Sequence, residues 1–279
     1  MLSKTERVQV ARELKKTKTV EKQKSSRSSS WIGWILPVVL IALWQGSSSL
    51  GILPEYQLPA PTTVVEKTVE MAQDGTLWGH TWITMYRVIV GFVLGVIGAV
   101  VIGSIVGTVK IVEQAVDPLI QAFRSIPSLA WVPLFILWMG IGEPSKVTLI
   151  AVGVFFPVYL NIVSGVQGVD RKLIEVGKMY GFSKFQMTKN VVLPAALPMF
   201  LVGIRSGLGL GWMFVVAAEL MGASEGLGYL LVFGQNTYSP ETVIASIVLF
   251  ALLGKITDSL LKLLEYRALH WQDRYEYQR

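Results

Sequence analysis

The sequence contains no cysteine and only two histidines, His80 and His270, in 279 residues. The absence of cysteine excludes disulfide bonds, thiolate metal sites and cysteine nucleophiles. Charged residues are scarce as well: they make up 16% of the chain, whereas soluble domains average about 25%. Apolar residues reach 52%, and the mean hydropathy is +0.52. This composition predicts an integral membrane protein, because a soluble fold needs more charge to cover its surface.

Six apolar runs are long enough to cross a bilayer, which requires about 20 residues of helix. The predicted spans cover residues 31–50, 88–109, 118–141, 147–168, 191–221 and 242–264. The third is interrupted by Arg124 and Pro127. The chain is therefore predicted to be an all-α membrane protein with about six transmembrane helices.

The 25 lysines and arginines are distributed unevenly between the predicted loops. If the N-terminus is cytoplasmic, 19 of them lie in cytoplasmic segments and three (Lys67, Arg87 and Lys146) lie outside. Cytoplasmic loops of membrane proteins carry such an excess of basic residues. Both termini are therefore predicted to be cytoplasmic, and the net charge of +6 needs no nucleic-acid partner.

The chain divides by composition into a short tail and a long membrane domain. Residues 1–30 hold nine of the lysines and arginines. We interpret them as a basic, flexible cytoplasmic tail and not as a cleaved signal peptide, because no small-residue cleavage site follows. Residues 31–279 form the predicted transmembrane domain.

Small residues recur at every fourth position in two of the predicted spans. Such a stripe lets the backbone of a neighbouring helix approach closely, so it predicts tight helix packing. The positions are Gly91, Gly95, Ala99, Gly103 and Gly107 in one span and Gly203, Gly207 and Gly211 in another.

The longest predicted internal cytoplasmic loop, residues 171–194, mixes basic and apolar side chains. Gly181 permits a turn between two short helices, and Ser183 can cap the second of them. Pro194 suits the first turn of the span that follows. The pattern predicts an amphipathic helix pair at the membrane face, suited to insertion into a groove of a partner protein.

This loop resembles the EAA loop of ABC-importer permeases, in which Glu-Ala-Ala is followed by a spaced glycine and a Leu-Pro pair. Glu175, Gly181 and Leu193-Pro194 fall in register, while Val176 and Gly177 replace the two alanines. In that family the loop couples the permease to its ATP-binding subunit. The residues that the resemblance assigns to coupling are Glu175, Val176, Gly177, Tyr180, Gly181, Phe182, Leu193 and Pro194.

Other segments resemble the nitrate, sulfonate and taurine branch of these permeases, and the aliphatic sulfonate permeases within it. They include Leu58-Pro-Ala-Pro61, Arg124 to Leu134 and Gly226-Leu-Gly228. The resemblance implies a type I ABC-importer permease fold and a multi-pass protein of the bacterial plasma (inner) membrane. It implies import of small anions, aliphatic sulfonates first. Taurine, nitrate, bicarbonate or a vitamin precursor remain alternative cargoes, and a membrane scaffold without transport is the alternative of a different class.

The resemblance also implies partners: two ATP-binding subunits, a second permease copy, an extracytoplasmic substrate-binding protein and the lipid bilayer. The sequence has no Gly-x4-Gly-Lys-Ser/Thr phosphate-binding loop. The chain is therefore predicted to be a transporter subunit and not an enzyme. It would bind no cofactor directly, and ATP would be hydrolysed by the separate subunit.

Three ionisable residues within the predicted spans, Arg124, Arg205 and Glu219, are candidates for a substrate path. Charged groups in a membrane are costly and often functional. A guanidinium suits oxyanions such as sulfonates. The alternative is that each arginine pairs with a carboxylate or with helix carbonyls. Glu219 could likewise act as a gate or form an interhelical pair.

Overall fold

A computed structural model describes residues 35–52 and 54–270, the side chain of Ser128 excepted. Within these ranges the regular secondary structure is helical, as predicted. The predicted tail, residues 1–30, lies outside them. The elements are α1 (Ile35–Ser49), α2 (Pro61–Gln73), α3 (Thr76–Thr108), α4 (Lys110–Arg124), α5 (Ser128–Met139), α6 (Glu143–Gln167), α7 (Arg171–Met179), α8 (Lys184–Met187), a π-helical turn (Thr188–Val192), α9 (Leu193–Leu220), α10 (Leu227–Asn236) and α11 (Pro240–Ala268).

Four helical segments are long and apolar enough to cross a membrane: α3, α6, α11 and the run Lys184–Leu220 that ends in α9. Helices α4 and α5 pass the same test as a pair, bent by 104° at the break that Pro127 introduces. Helix α1 is a shorter apolar helix. The described residues thus contain four spans, or five with the bent pair, where the sequence predicted six. The first predicted span, residues 31–50, begins outside the described ranges.

The contacts within the chain divide it into two compact units, residues 1–65 and 66–279. In the described part of the first unit, two hydrogen bonds tie the segment after α1 back to that helix. The Trp44 indole N–H donates to the carbonyl of Pro59 at 3.1 Å. The backbone N–H of Thr62 donates to the side-chain oxygen of Gln45 at 3.3 Å.

Helix α6 is the central helix of the second unit, and α3 packs along it in parallel. A Cβ added to Gly91 would touch Ile150, and one added to Gly107 would touch Val166. Later residues of α3 therefore contact later residues of α6, which shows that the two helices run in the same direction. Helix α9 packs on α6 in the opposite direction, since Gly203 lies beside Asn161 and Gly211 beside Val154.

Both seams depend on glycine. A Cβ at Gly95 would lie 2.5 Å from the carbonyl oxygen of Ala151, and one at Gly207 would lie 2.8 Å from Val158 Cγ2. Neither position has room for a methyl group. The stripes predicted from the sequence are therefore confirmed as close helix contacts, in which short backbone distances give strong dispersion attraction.

The direction of α3 and α6 determines the course of the chain between them. Because the two helices are parallel, the segment from the end of α3 to the start of α6 must return along the whole bundle. Helices α4 and α5 make this return. The bent pair therefore counts as a crossing, although neither of its helices is long enough alone.

The prediction that the second span begins at Val88 is wrong. Helix α3 begins at Thr76, and Arg87 lies inside it with 1% of its surface exposed. Lys146, which was also assigned to an outside loop, is buried in the first turn of α6. Hydropathy alone ends a span at such a charge, whereas the folded chain supplies partners that neutralise it.

Candidate functional site

The predicted coupling loop folds as two short helices joined by a tight turn. Asp170 caps α7 by accepting the N–H of Lys172 at 2.9 Å. At the other end, the N–H of Phe182 bonds the carbonyl of Gly177 and that of Gly181 bonds Lys178. These two bonds form a Schellman motif, which needs a left-handed residue after the helix. Gly181 provides it with φ +71.

The second helix begins with a capping box. Ser183 Oγ accepts the N–H of Gln186, and the Gln186 side-chain oxygen accepts the N–H of Ser183 at 2.9 Å. The predicted capping role of Ser183 is confirmed. The chain continues through the π-helical turn into α9, where Pro194 lies in the first turn as expected.

A groove of about 460 Å³ lies between α7 and the start of α9. Most of its lining is apolar, and apolar side chains protrude beside it. Met179 is 87% exposed and Tyr180 is 77% exposed. The residues that line the groove are Leu173, Val176, Gly177, Tyr180, Phe182, Asn190, Val191, Pro194 and Ala195.

Five of the eight predicted coupling residues therefore surround one groove, and three lie elsewhere. Glu175 points to the outside of α7, where its carboxylate pairs with Arg171 Nε at 3.1 Å. Gly181 forms the turn. Leu193 lines a separate apolar pocket with Ala196 and neighbouring residues.

A buried polar cluster lies at the end of the bundle opposite this loop, and its centre is Arg87. Its Nε and Nη2 atoms donate to both carboxylate oxygens of Glu143, at 2.7 and 2.6 Å. Its Nη1 atom donates to Glu219 and to the backbone carbonyl of Glu225, each at 2.7 Å. One guanidinium thus joins α3, α6, α9 and the loop after α9.

The carboxylate of Glu219 is fully enclosed by hydrogen-bond donors. Thr84 Oγ1 donates to it at 2.8 Å and accepts the N–H of Leu227 at 2.8 Å. The N–H of Gly228 donates to it at 2.7 Å. The N–H of Gly226 bonds His80 Nδ1 at 3.0 Å. The loop before α10 is therefore held by side chains of α3 and α9.

Close packing against Glu219 explains the two glycines of the Gly226-Leu-Gly228 segment. A Cβ at Gly226 would lie 2.5 Å from Glu219 Oε1, and one at Gly228 would lie 2.5 Å from Glu219 Cβ. Gly226 also has a backbone φ of +118, a value that residues other than glycine rarely adopt. The two glycines let the backbone wrap around the buried carboxylate.

Of the two alternatives for Glu219, the structure shows the interhelical pair. Its side chain is 0% exposed, so it faces no open path here. Sequence reasoning missed the partners Arg87, Glu143 and Thr84. A signal was available, because Arg87 lies four positions before Gly91 and so continues the small-residue stripe that marks the buried face of α3.

The two other candidate path residues are exposed. Arg205 on α9 forms a bidentate ion pair with Asp258 on α11, at 2.6 and 3.0 Å. Arg205 therefore has a carboxylate partner, and 42% of its side chain remains exposed. Arg124 is the last residue of α4 and is exposed just before the break at Pro127.

Nothing among the described residues forms a group of three or more His, Asp or Glu placed to hold a metal ion.

This chain is similar in sequence to known transport proteins. A family model described as "Binding-protein-dependent transport system inner membrane component" matches residues 74–270. A Bacillus subtilis (strain 168) protein that carries the name of an aliphatic sulfonates transport permease, SsuC, is 44% identical over 92% of this chain and 94% of its own length. The Escherichia coli (strain K12) protein of the same name is 39% identical over 87% of this chain and 92% of its own length. The taurine transport system permease protein TauC of Escherichia coli is 34% identical over 84% of this chain and 86% of its own length.

Solved structures share the fold. A chain of the MetNI methionine ABC transporter in an inward-facing conformation superposes with a TM-score of 0.60 and 21% identity. The match covers 69% of this chain and 95% of that one. A chain of an amino acid ABC transporter gives a TM-score of 0.57 and 18% identity, covering 67% of this chain and 92% of that one.

Proposed function

This chain belongs to the family of binding-protein-dependent transport system inner membrane components, and from that premise we propose that it is the permease subunit of an ATP-driven importer for small organic anions, aliphatic sulfonates first. It has the fold of type I ABC-importer permeases and is a multi-pass inner-membrane protein. The observation that carries the cargo is 44% identity, over 92% of the chain, to a protein named for aliphatic sulfonates.

The coupling loop supplies the contact with an ATP-binding subunit. Its two helices are fixed by the Asp170 cap, the turn at Gly181 and the Ser183 capping box. Rigid helices that present exposed apolar side chains beside a groove suit insertion into a partner. Each of two permease copies would bind one ATP-binding subunit, and ATP would be hydrolysed there.

The orientation follows from this assignment. The ATP-binding subunits work in the cytoplasm, so the loop of α7 and α8 faces the cytoplasm and the Arg87 cluster faces the extracytoplasmic side. The basic residues of the tail favour a cytoplasmic location for both termini. An extracytoplasmic binding protein would deliver the anion near the end of the bundle that the Arg87 cluster holds.

Arg205 is the group in α9 that we assign to the anion path. It lies about 18 Å from the start of the helix, close to mid-membrane. An exposed ion pair at this depth is unfavourable against lipid and requires water or a polar partner. Asp258 accepts hydrogen bonds from Nε and Nη2 of the Arg205 guanidinium. A passing sulfonate can bind the N–H donors of the guanidinium that Asp258 does not use.

The decisive experiment is uptake by the reconstituted complex. Proteoliposomes containing the permease, the ATP-binding subunit and the binding protein should accumulate alkanesulfonates when ATP is present inside. Taurine is the second substrate to include, because TauC is 34% identical to this chain; nitrate and bicarbonate complete the panel. Uptake of nitrate without any sulfonate uptake would contradict the cargo. ATP hydrolysis by the isolated chain would contradict its role as a dependent subunit.

A pair of variants tests the coupling loop. Glu175→Ala should uncouple transport from ATP hydrolysis while membrane insertion stays normal. Arg171→Ala removes the same exposed ion pair from its other side, and such pairs contribute about 0.5 kcal/mol. If Glu175 acts on the partner subunit, Arg171→Ala keeps uptake and Glu175→Ala loses it. Equal uptake in both variants would contradict the assignment.

A further inference from the structure

Helix α4 has a continuous polar stripe although it belongs to a membrane crossing. At 3.6 residues per turn, the polar positions fall within an arc of about 100°. They run from the first residue of the helix to the last. The stripe consists of Lys110, Glu113, Gln114, Asp117, Gln121 and Arg124.

The other two faces of α4 are apolar and differ in burial. On one side of the stripe Val112, Val116 and Ile120 pack against the core of the bundle. On the far side Ile111 is 80% exposed and Leu119 is 60% exposed. The small residues Ala115 and Pro118 between them are exposed as well. The far side can face hydrocarbon. The stripe between these faces cannot, because polar groups in lipid are unfavourable without partners.

The stripe rises into the bundle and does not lie flat at its end. The Tyr159 hydroxyl on α6 donates to Asp117 Oδ1 at 3.1 Å. Tyr159 lies eight residues before the end of α6, about 12 Å into the bundle, and Asp117 lies seven residues after the start of α4, about 10 Å along it. The matching heights indicate that α4 climbs beside α6, so Gln121 and Arg124 lie deeper still.

The exposed members of the stripe carry only positive charge. Lys110, Gln114, Gln121 and Arg124 are exposed, whereas both acidic members are half-buried towards the core. Asp117 is also engaged by Tyr159. An approaching group therefore meets two cations and two amides, and both kinds of side chain donate hydrogen bonds to oxyanions.

We propose that the polar stripe of α4 lines the aqueous path of the transporter, with Gln114 and Gln121 as positioning groups for an anion that Arg124 attracts. This inference rests on the proposed function and adds residues to it. The exposed members of the stripe bring two cations and no carboxylate to the path, so this helix favours an anionic cargo. The two glutamines bind the oxyanion through neutral N–H donors, which holds it weakly enough for release.

Cysteine accessibility tests the stripe directly, because the natural chain contains no cysteine. Gln114→Cys and Gln121→Cys are compared with Ala115→Cys and Ala122→Cys, their immediate neighbours on the exposed apolar side. The full complex in membranes is treated with a charged, membrane-impermeant methanethiosulfonate reagent. We expect the stripe cysteines to react at least about tenfold faster, because the reactive thiolate forms in water and not in hydrocarbon.

Equal labelling of neighbouring positions, or faster labelling of the two alanine positions, would overturn the proposal. So would a stripe that forms a disulfide between two copies under oxidation but does not react with the reagent, because the stripe would then be an interface. Two independent positions keep the test valid if one variant fails to assemble. The labelling does not depend on cargo. Labelling of the stripe without sulfonate uptake would therefore contradict the proposed function alone, and uptake without labelling would contradict this inference alone.

Charge substitution gives a second readout. Gln121→Glu should lower alkanesulfonate uptake at least about tenfold, because a like charge on the path repels the anion, whereas Gln121→Asn, which keeps a neutral amide donor, should lower it much less. Equal uptake by the two variants would contradict the placement of Gln121 on the path. ATP hydrolysis by the complex serves as the control that both variants assemble.

Discussion

Arg87 and Glu219 form a buried ion pair across 132 positions of sequence, with 2.7 Å between Nη1 and Oε1. Their side chains are 2% and 0% exposed. The same guanidinium also holds Glu143 through two bonds. Since each of these residues comes from a different long helix, the pair fixes α3, α6 and α9 at the end of the bundle remote from the coupling loop. Removing one partner of such a pair leaves the other as a buried charge without compensation, which destabilises the fold.

Replacing Arg87 with methionine should therefore destabilise the fold strongly. Glu219 would remain buried without its cation, a change that costs about 3–5 kcal/mol. The measurement is the thermal unfolding of the detergent-solubilised protein. Lys67→Met is the matched control, because Lys67 pairs with Glu70 at the surface, where an ion pair contributes less than about 1 kcal/mol. Similar unfolding temperatures for the two variants would contradict the role of the cluster.

The sequence predicted this fold wherever a local pattern carries the information. The spacing of small residues predicted both helix seams, and the order of Gly181, Ser183 and Pro194 predicted the two short helices and the turn between them. The Arg87 cluster was missed for a physical reason. A hydropathy scale assigns each residue its cost in lipid, whereas the cost of Arg87 is cancelled by acids 56 and 132 positions away. No local pattern encodes such a partner.

The bend between α4 and α5 shows the same limit. Pro127 predicted an interruption, but the angle depends on how α4 packs beside α3 and how α5 packs against α6 and α9. The six alternating spans predicted that α3 and α6 run in the same direction, but the sequence did not show that these two helices are neighbours. The polar stripe of α4 could have been found in the sequence, because its spacing is regular. It was missed because the third predicted span began at residue 118, within the stripe.

Two glycines on one helix distinguish close packing from general helix effects. Gly95→Ala should destabilise the protein by about 1–3 kcal/mol, because its Cβ would lie 2.5 Å from the Ala151 carbonyl, and backbone cannot move aside easily. Gly98→Ala places its Cβ 3.6 Å from Phe155, an ordinary contact. It should be neutral or slightly stabilising, since alanine favours helix. Thermal unfolding of both variants is the measurement, and equal losses would contradict the seam.

The Arg205–Asp258 pair can be separated into a structural and a transport role by exchanging its charges. Arg205→Met should lower both stability and alkanesulfonate uptake. The double exchange Arg205→Asp with Asp258→Arg restores an ion pair between α9 and α11, so stability should recover. Uptake should stay low if the guanidinium must project from α9 into the path. Full recovery of uptake by the exchanged protein would show that the pair serves packing alone.

The Ser183 capping box should control the order of the loop that we propose binds the ATP-binding subunit. Ser183→Ala leaves the N–H of Gln186 without its acceptor, which costs about 1 kcal/mol of helix stability. We expect faster hydrogen–deuterium exchange in residues 184–192 and weaker binding of the ATP-binding subunit.

Thr188→Ala is the matched control for that variant, because the Thr188 hydroxyl donates to the carbonyl of Lys184 and caps no N–H group. Its exchange rate and binding should stay close to those of the natural chain. Ser183→Asp, which keeps an acceptor at the cap position, should restore protection. If Ser183→Ala and Thr188→Ala exchange at the same rate, the cap does not order the loop, and the rigidity of the docking helices must come from the Schellman turn at Gly181.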